Sequence, residues 1–401
     1  NDSDITGAVL LNSAAGVTMS ALLGGADAYA QIGAGGIDVN GAFMSNTTVN
    51  AAGGAIAMTS GANGDVYTQI GAGGASSAGA KTSITNVSAN GVSLTAGSAA
   101  RAYSQIGAGG VSASGDIMGD TTLTNGGGLT MMSGSDTDTY TQVGAGGGSA
   151  DTTANTGTHN SATTVTLGGA LSMTGGAGTD AYSQIGLGGD QVTGDLIGAV
   201  SVTGATTITM TSGNVGDRAF TQIGLGGNNS DGAKNGGTTV SASGAISLNS
   251  GAATESYSQI GAGGTGADGD VTGATMVTST GGGLSLTSGA GTDAFTQVGA
   301  GGAGADTTGN AGTHNSATTV AVNGAVVLDA TLGGVNAYSQ IGAGGDEVTG
   351  DITGPVSVTG ATDITMTGGV MENAYTQIGL GGTDSDGVKT GAVNVAGTGT
   401  L

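Results

Sequence analysis

Short apolar-x-apolar alternations recur along the chain: Val17/Met19, Ile56/Met58, Val92/Leu94, Leu129/Met131, Leu171/Met173, Ile208/Met210, Ile246/Leu248, Leu284/Leu286, Val326/Leu328 and Ile364/Met366. A period of two with threonine and β-branched neighbours predicts strands. Some six residues before each lies a second strand signal, as in Thr121-Thr122-Leu123, Val200-Ser201-Val202, Thr238-Thr239-Val240 and Val356-Ser357-Val358. Eleven or twelve residues after each alternation comes a third, the stretch Ala28-Tyr29-Ala30-Gln31-Ile32-Gly33-Ala34-Gly35-Gly36 and its later copies. Its ten glutamines are Gln31, Gln69, Gln105, Gln142, Gln184, Gln222, Gln259, Gln297, Gln340 and Gln377, 36 to 43 residues apart. Each repeat therefore offers three strands, joined by glycine-rich turns such as Gly126-Gly127-Gly128 and Gly281-Gly282-Gly283, where positive φ is tolerated.

A period of this size, sustained through the chain, means a solenoid, propeller or array. A propeller blade needs four strands and closes at four to eight blades; ten copies with three strand signals each argue against it. The expected fold is all-β, a parallel β-helix (β-solenoid) of about ten coils of ~37–43 residues, each strand pairing with its equivalent one coil away. Residues 1–401 read as a single array. One repeat per coil stacks equivalent side chains about 4.8 Å apart, which gives the repetition of tyrosine and glutamine a cause. Two narrow coils per repeat are the alternative. Length varies only after the Gly-Gly pair, where two repeats carry longer loops containing His159 and His314. Those loops lie 155 residues apart and mark a four-coil superperiod, repeated by Lys81, Lys234 and Lys389. A finer alternation places threonine before glutamine in one repeat (Thr68, Thr141, Thr221, Thr296, Thr376) and serine in the next (Ser104, Ser183, Ser258, Ser339).

In the glutamine strand, Ile32 shares one face with Ala30, and Tyr29 and Gln31 share the other. With isoleucine inward, the aromatics Tyr29, Tyr67, Tyr103, Tyr140, Tyr182, Phe220, Tyr257, Phe295, Tyr338 and Tyr375 form, with the glutamines, a flat outer face suited to docking a glycan or another solenoid. The other possibility is that both columns point inward as buried ladders. If the amides bond from coil to coil, replacing a central glutamine costs more than replacing the last one.

Composition narrows the function. Five basic residues against 28 acidic ones give a net charge of −23, which opposes nucleic acid and anionic membranes as partners. No apolar run approaches a membrane span. With no cysteine there are no disulfides or thiolate chemistry. His159 and His314, the only histidines, read as surface-loop residues copied by duplication, without a second ligand at metal spacing. Asp268 and Asp270, and Asp384 and Asp386, sit in Asp/Gly loops that suit calcium, but the calcium nonapeptide repeat is not sustained, so no cofactor is expected beyond that candidate. Gly-x-Gly-Gly is not followed by the helix and lysine of a phosphate loop, and no repeated Ser/His/Asp set suggests hydrolysis. The chain is not expected to be an enzyme.

The Tyr-x-Gln-Ile-Gly-x-Gly-Gly repeats, with intervening Thr-Gly-Asp-Ile (Thr349–Ile352) and Ile-Thr-Met-Thr (Ile364–Thr367), resemble those of large bacterial exported proteins of the filamentous haemagglutinin type. Where many of those end Gly-His-Gly-Gly, this chain has Gly-Ala-Gly-Gly or Gly-Leu-Gly-Gly. The resemblance covers essentially the whole chain and implies a right-handed parallel β-helix exported to the cell surface as an adhesin or fibre. Residues and resemblance together point to a stiff acidic rod in an extracellular bacterial fibre or surface adhesin. The alternative is a polysaccharide-binding adhesin module using the Tyr/Gln face; ice binding through threonine columns is a weaker third reading, because the threonines drift between repeats. Expected partners are other copies, end to end or side by side, and surface glycans. The repeats run to both ends without polar caps, as expected of an excerpt of a longer polymer or of chains that stack end to end.

Overall fold

A computed structural model describes residues 4–22, 25–148, 157–304 and 312–399. The described chain is strand and turn throughout, and every strand pair is parallel to its equivalent one repeat away. The third coil shows the plan: Lys81–Thr82 and Thr85–Ala89 lie in sheet A, Val92–Thr95 in sheet B, and Tyr103–Ile106 in sheet C. Val87 pairs with Val49 and Leu123, Leu94 with Met58 and Met131, and Gln105 with Gln69 and Gln142. Equivalent residues one repeat apart are thus direct neighbours, so one repeat is one coil and the protein is a parallel β-solenoid of about ten turns. Sheet B has ten strands, one per coil. Ahead of the predicted sheet A strand, which forms as one piece at Thr121–Asn125, most coils carry a further two-residue strand such as Lys81–Thr82 or Ile117–Met118 that the three strand signals did not include, which gives sheet A twenty strands in all. The extra length of the two long loops falls at 149–156 and 305–311, outside the described residues.

The first two sheets follow the alternation read from sequence. Thr121, Leu123 and Asn125 are buried while Thr122 and Thr124 face out, as period-two geometry demands. Inward Val, Leu, Ile and Met from all three sheets form one continuous core running the length of the rod. Ile106 and its equivalents Ile70, Val143, Ile185 and Ile223 belong to it, so the isoleucine column points inward.

Sheet C departs from the expectation. Tyr103, Ser104, Gln105 and Ile106 are all buried, as are their equivalents through the central coils. The Tyr/Gln face is therefore not an outer surface. After each Gly-x-Gly-Gly the chain turns back over it and packs Ala75, Val111 or Ala303 against the rings in a second apolar cluster. A strand covered on both faces buries every side chain. The column opens only at its two ends, where Tyr29 is 49% exposed and Tyr375 is half-buried.

Glycine makes that turn possible. Gly109 holds φ +125°, and a Cβ there would lie 1.9 Å from the Gly146 carbonyl oxygen of the next coil. No side chain fits a gap that small, and the left-handed backbone itself excludes β-carbons at little cost only for glycine.

Candidate functional site

Three longitudinal features are candidates, and each is built by stacking one residue per coil. The first is the seam of sheet C. Neighbouring rings from Tyr29 to Tyr375 stack with centroids 4.6 to 5.1 Å apart and planes within 10°. Burial pushes the hydroxyls of Tyr103, Tyr182 and Tyr257 well above their ordinary pKa, so the column's interior stays neutral. Beside it, Gln105 Nε2 donates to Gln142 Oε1 at 3.1 Å, and the same bond joins Gln142 to Gln184, Gln184 to Gln222, Gln222 to Gln259 and Gln259 to Gln297. Each amide also reaches its own turn and the next: Gln105 Nε2 lies 3.2 Å from Ala108 O and 3.2 Å from Gly146 O. The amide thus ties three things together: the ladder, its own Gly-x-Gly turn, and the turn of the coil above.

The Thr/Ser alternation acquires a cause here. Ser104 Oγ donates to Thr95 O at 2.6 Å and lies 2.8 Å from Thr68 Oγ1. Its one proton being used, serine accepts and threonine donates. The pattern recurs at Thr141/Ser183, Thr221/Ser258 and Thr296/Ser339, joining coils in twos.

A test of the amide's role follows. Gln222→Ala removes the bonds from its Nε2 to Gln259, Leu225, Gly261 and Gly263, leaves the buried Gln259 Oε1 without that donor, and takes one of three acceptors from Gln184 Nε2. It is expected to cost about 2–3 kcal/mol in urea denaturation, the penalty for leaving buried partners unpaired. Gln377, partly exposed and bonded only to Leu380 O at 3.1 Å, is expected to cost less than about 1 kcal/mol when changed to alanine. Equal losses would show that the coil-to-coil bonds add nothing.

The second feature is an interior column in sheet A. Phe43, Lys81, Ile117, His159, Leu196, Lys234, Val271, His314, Ile352 and Lys389 are stacked partners. From Lys81 onward a basic side chain alternates strictly with an aliphatic one. The histidines are not surface-loop residues: each is 1% exposed and lies within a strand. Burial first, and the lysine charge two coils away second, lower both imidazoles to about 4, against the pull of Asp116 on His159 and of Asp270 on His314. His159 Nδ1 and both ring nitrogens of His314 have no hydrogen-bond partner among the described residues.

The lysines of this column, two buried and the last exposed, explain the Asp/Gly loops. Lys81 Nζ donates to the carbonyls of Ser77, Gly79 and Ser114 at 3.1, 2.9 and 2.7 Å. Lys234 Nζ is held likewise by Ser230, Gly232 and Asp268, and Lys389 Nζ by Ser385, Asp386 and Gly387. Loops carrying two of the candidate calcium aspartates, Asp268 and Asp386, thus turn their carbonyls onto an ammonium. The carboxylate of Asp270 caps the Thr313 amide at 2.8 Å, and Asp384 is exposed. Desolvation lowers Lys81 and Lys234 to about 8.

The third feature is a column of left-handed residues two places before each ring: Asp65, Arg101, Asp138, Asp180, Arg218, Glu255 and Asp293 among them. Arg101 grips Asp65 through both oxygens at 2.5 and 2.7 Å, and Arg218 grips Asp180 at 2.6 and 2.9 Å. Asp138, Asp180 and Asp190 bring buried carboxylate oxygens within 4.8 Å of one another, a donor set of the hard-oxygen kind that suits calcium. Arg218 already supplies a counter-charge to that cluster. None of these three was singled out by sequence spacing, because Asp190 comes from the turn covering the rings and the other two from the turn before them.

The outer faces of the sheets complete the picture. Among the described residues, Asp329 is the only acidic one within a strand; the others lie in turns. The outward rows of sheet B are built mainly of serine and threonine, for example Ser93, Thr130, Ser172 and Thr209 in one and Thr95, Thr174, Thr211 and Thr287 in the other. These rows are in register rather than drifting. No family model, no curated protein and no solved structure matches this chain.

Proposed function

We propose that the chain is a structural segment of an extracellular bacterial fibre or surface adhesin, a stiff acidic rod of the filamentous haemagglutinin type whose work is mechanical. The observation that carries this reading is the unbroken seam: rings stack from the first coil to the tenth, with no coil in which the ladder lapses. In a one-dimensional stack, stability is the sum of each coil and its neighbour contacts, so a continuous seam resists local opening anywhere along the rod. Acidic turns keep such a rod solvated. Export to the cell surface and contact with surface glycans belong to the same proposal. The rings and amides lie inside, so a glycan would meet turns or hydroxyl rows rather than the aromatic column.

Immunogold electron microscopy of the native source, with an antibody to the central coils, tests the proposal. Label on thin surface filaments, rising about 4.8 Å per repeat as stacked strands do, is expected. Label confined to the cell interior would overturn it.

A further inference from the structure

We propose that the turns beside the tyrosine column hold two calcium ions, one at Asp138, Asp180 and Asp190 and the other four coils on at Asp293, Asn336 and Asp346. Each ion would tie one coil to the next. Asp138 belongs to the fourth coil and Asp180 and Asp190 to the fifth, while Asp293 belongs to the eighth and Asn336 and Asp346 to the ninth.

The first set is a buried group of oxygens. Asp138 and Asp180 stand in the left-handed column of successive coils, and Asp190 comes over from the turn that covers the rings. Their carboxylate oxygens lie within 4.8 Å of one another, close enough to share one calcium, whose ligands stand about 2.3–2.6 Å from the ion. Asn228 sets its amide against them. Its Nδ2 donates to Asp180 Oδ1 at 3.3 Å and to Arg218 O at 2.7 Å, while its buried Oδ1 has no hydrogen-bond partner among the described residues. The buried Tyr182 hydroxyl also has none, and the charges of Asp190 and Asp138 reach it. Buried oxygens left without a donor cost free energy, and a hard cation satisfies several at once.

Four coils on, the set returns with its charge kept. Asn336 stands where Asp180 does and Asn373 where Arg218 does. In place of the Arg218 grip on Asp180, Asn373 Nδ2 donates to Asn336 Oδ1 at 3.0 Å, and Asn336 Nδ2 donates to Asp293 Oδ1 at 3.0 Å. One negative and one positive charge are absent together. Three carboxylates with one guanidinium, and two carboxylates with none, therefore carry the same formal net charge of −2, which a divalent cation neutralises. Asp346 points most directly to an ion: it is 2% exposed, its Oδ1 has no hydrogen-bond partner among the described residues, and the Asp293 charge bears on it. A carboxylate buried beside another carboxylate is held at a cost unless a counter-charge joins them. Tyr338, the equivalent of Tyr182, again brings a buried hydroxyl without a partner within reach of both aspartates.

The experiment is isothermal titration calorimetry of calcium chloride into the chelator-treated 401-residue chain, with thermal melts alongside. Saturable binding of two ions per chain is expected, with dissociation constants at or below about 1 mM, and calcium should raise the melting temperature by mass action. Asp190→Asn and Asp346→Asn should each abolish one site, and the two together should abolish both along with the calcium-induced rise in melting. In chelator the double variant should melt no lower than the wild type, because the amides relieve like-charge repulsion without changing shape; a variant that lost stability by misfolding would melt lower. Asp195→Asn with Asp351→Asn removes the same charge from exposed turns, also four coils apart, and should leave both sites. A wild-type titration without saturable binding overturns the inference, whether or not the variants fold. So does binding that survives Asp190→Asn/Asp346→Asn, or that falls equally with Asp195→Asn/Asp351→Asn, since the ions would then be held by the acidic surface as a whole.

Discussion

Gly226→Val is expected to split the stack between the sixth and seventh coils and to lower stability by more than about 4 kcal/mol, the range reached only by severe core disruption. Gly226 holds φ +118°, and a Cβ there would fall 2.2 Å from the Gly263 carbonyl oxygen and 3.1 Å from its carbon. Both neighbours are backbone, pinned by the ladder, so nothing can swing aside. Valine adds a left-handed strain that β-branched residues tolerate worst. Displacing this turn also breaks the 3.1 Å bond from Gln184 Nε2 to Gly226 O, so the amide ladder loses a partner at the same point. Gly64→Val is the control, because its nearest heavy atom, Ala100 O, is 3.9 Å from where the Cβ would sit; it should cost less than about 1 kcal/mol, as surface changes do. Urea denaturation gives both values, and hydrogen exchange should show lost protection centred on Gly224 to Gly264 in the first variant. Similar small losses in the two would mean that the coils do not depend on glycine for their approach.

The same close approach made the fold legible in sequence. Where backbone meets backbone across every coil, only glycine survives, and the fixed offset from Tyr and Gln to Gly-x-Gly-Gly announces the register. Alternation at Val92/Leu94 and its equivalents did the same for sheet B. What alternation cannot reveal is whether the far face of a strand meets water or a returning turn. Tyr103 and Gln105 alternate with Ser104 and Ile106 in the same way in either case. The covering residues gave little warning: Ala75, Val111, Asp190, Asn228 and Thr265 occupy one position without shared polarity. They need only fit beside the ring or meet a polar neighbour, as Asn228 does on Arg218 O at 2.7 Å and Thr265 on Glu255 O at 3.3 Å.

The histidines were misplaced for a related reason. Counted forward from Gly-Gly, His159 and His314 fall in loops of variable length. Counted back from the following strand, each stands four places before Thr163 or Thr318, as Lys81 stands before Thr85 and Ile117 before Thr121. Alignment on the strand rather than on the turn reveals the column. Basic and aliphatic side chains alternate with a period of two coils, and lysine and histidine take turns at the basic places, which reproduces the four-coil superperiod: the lysine charges then lie four coils apart in the apolar interior, with a histidine and two aliphatic side chains between them.

That column makes the protein sensitive to acid. Each buried imidazole is lowered to about 4 from the ordinary 6.5, mainly by burial and secondarily by Lys81 or Lys234. The folded value lies below the unfolded one, so the unfolded chain takes up a proton that the folded chain refuses. Stability is therefore full above about pH 6.5 and is lost as the pH falls toward 4. The loss is expected to approach about 3 kcal/mol per histidine, from 1.36 kcal/mol per pKa unit, and the two sites, four coils apart, should add. Asp346 works in the opposite direction: burial and the nearby Asp293, Glu347 and Asp384 raise it to about 7, so acidification relieves the cost of its buried charge. Lys81 and Lys234, lowered to about 8, have already exacted their cost above pH 7 and do not tilt this window. The histidine contribution is isolated by comparing the wild type with His159→Leu/His314→Leu, since leucine already fills this column at position 196. Urea denaturation from pH 7 to 4 should show the two stabilities diverging by about 6 kcal/mol, the variant gaining. Parallel profiles would mean that protonated imidazoles are accommodated in the folded chain, and that the column is not dry.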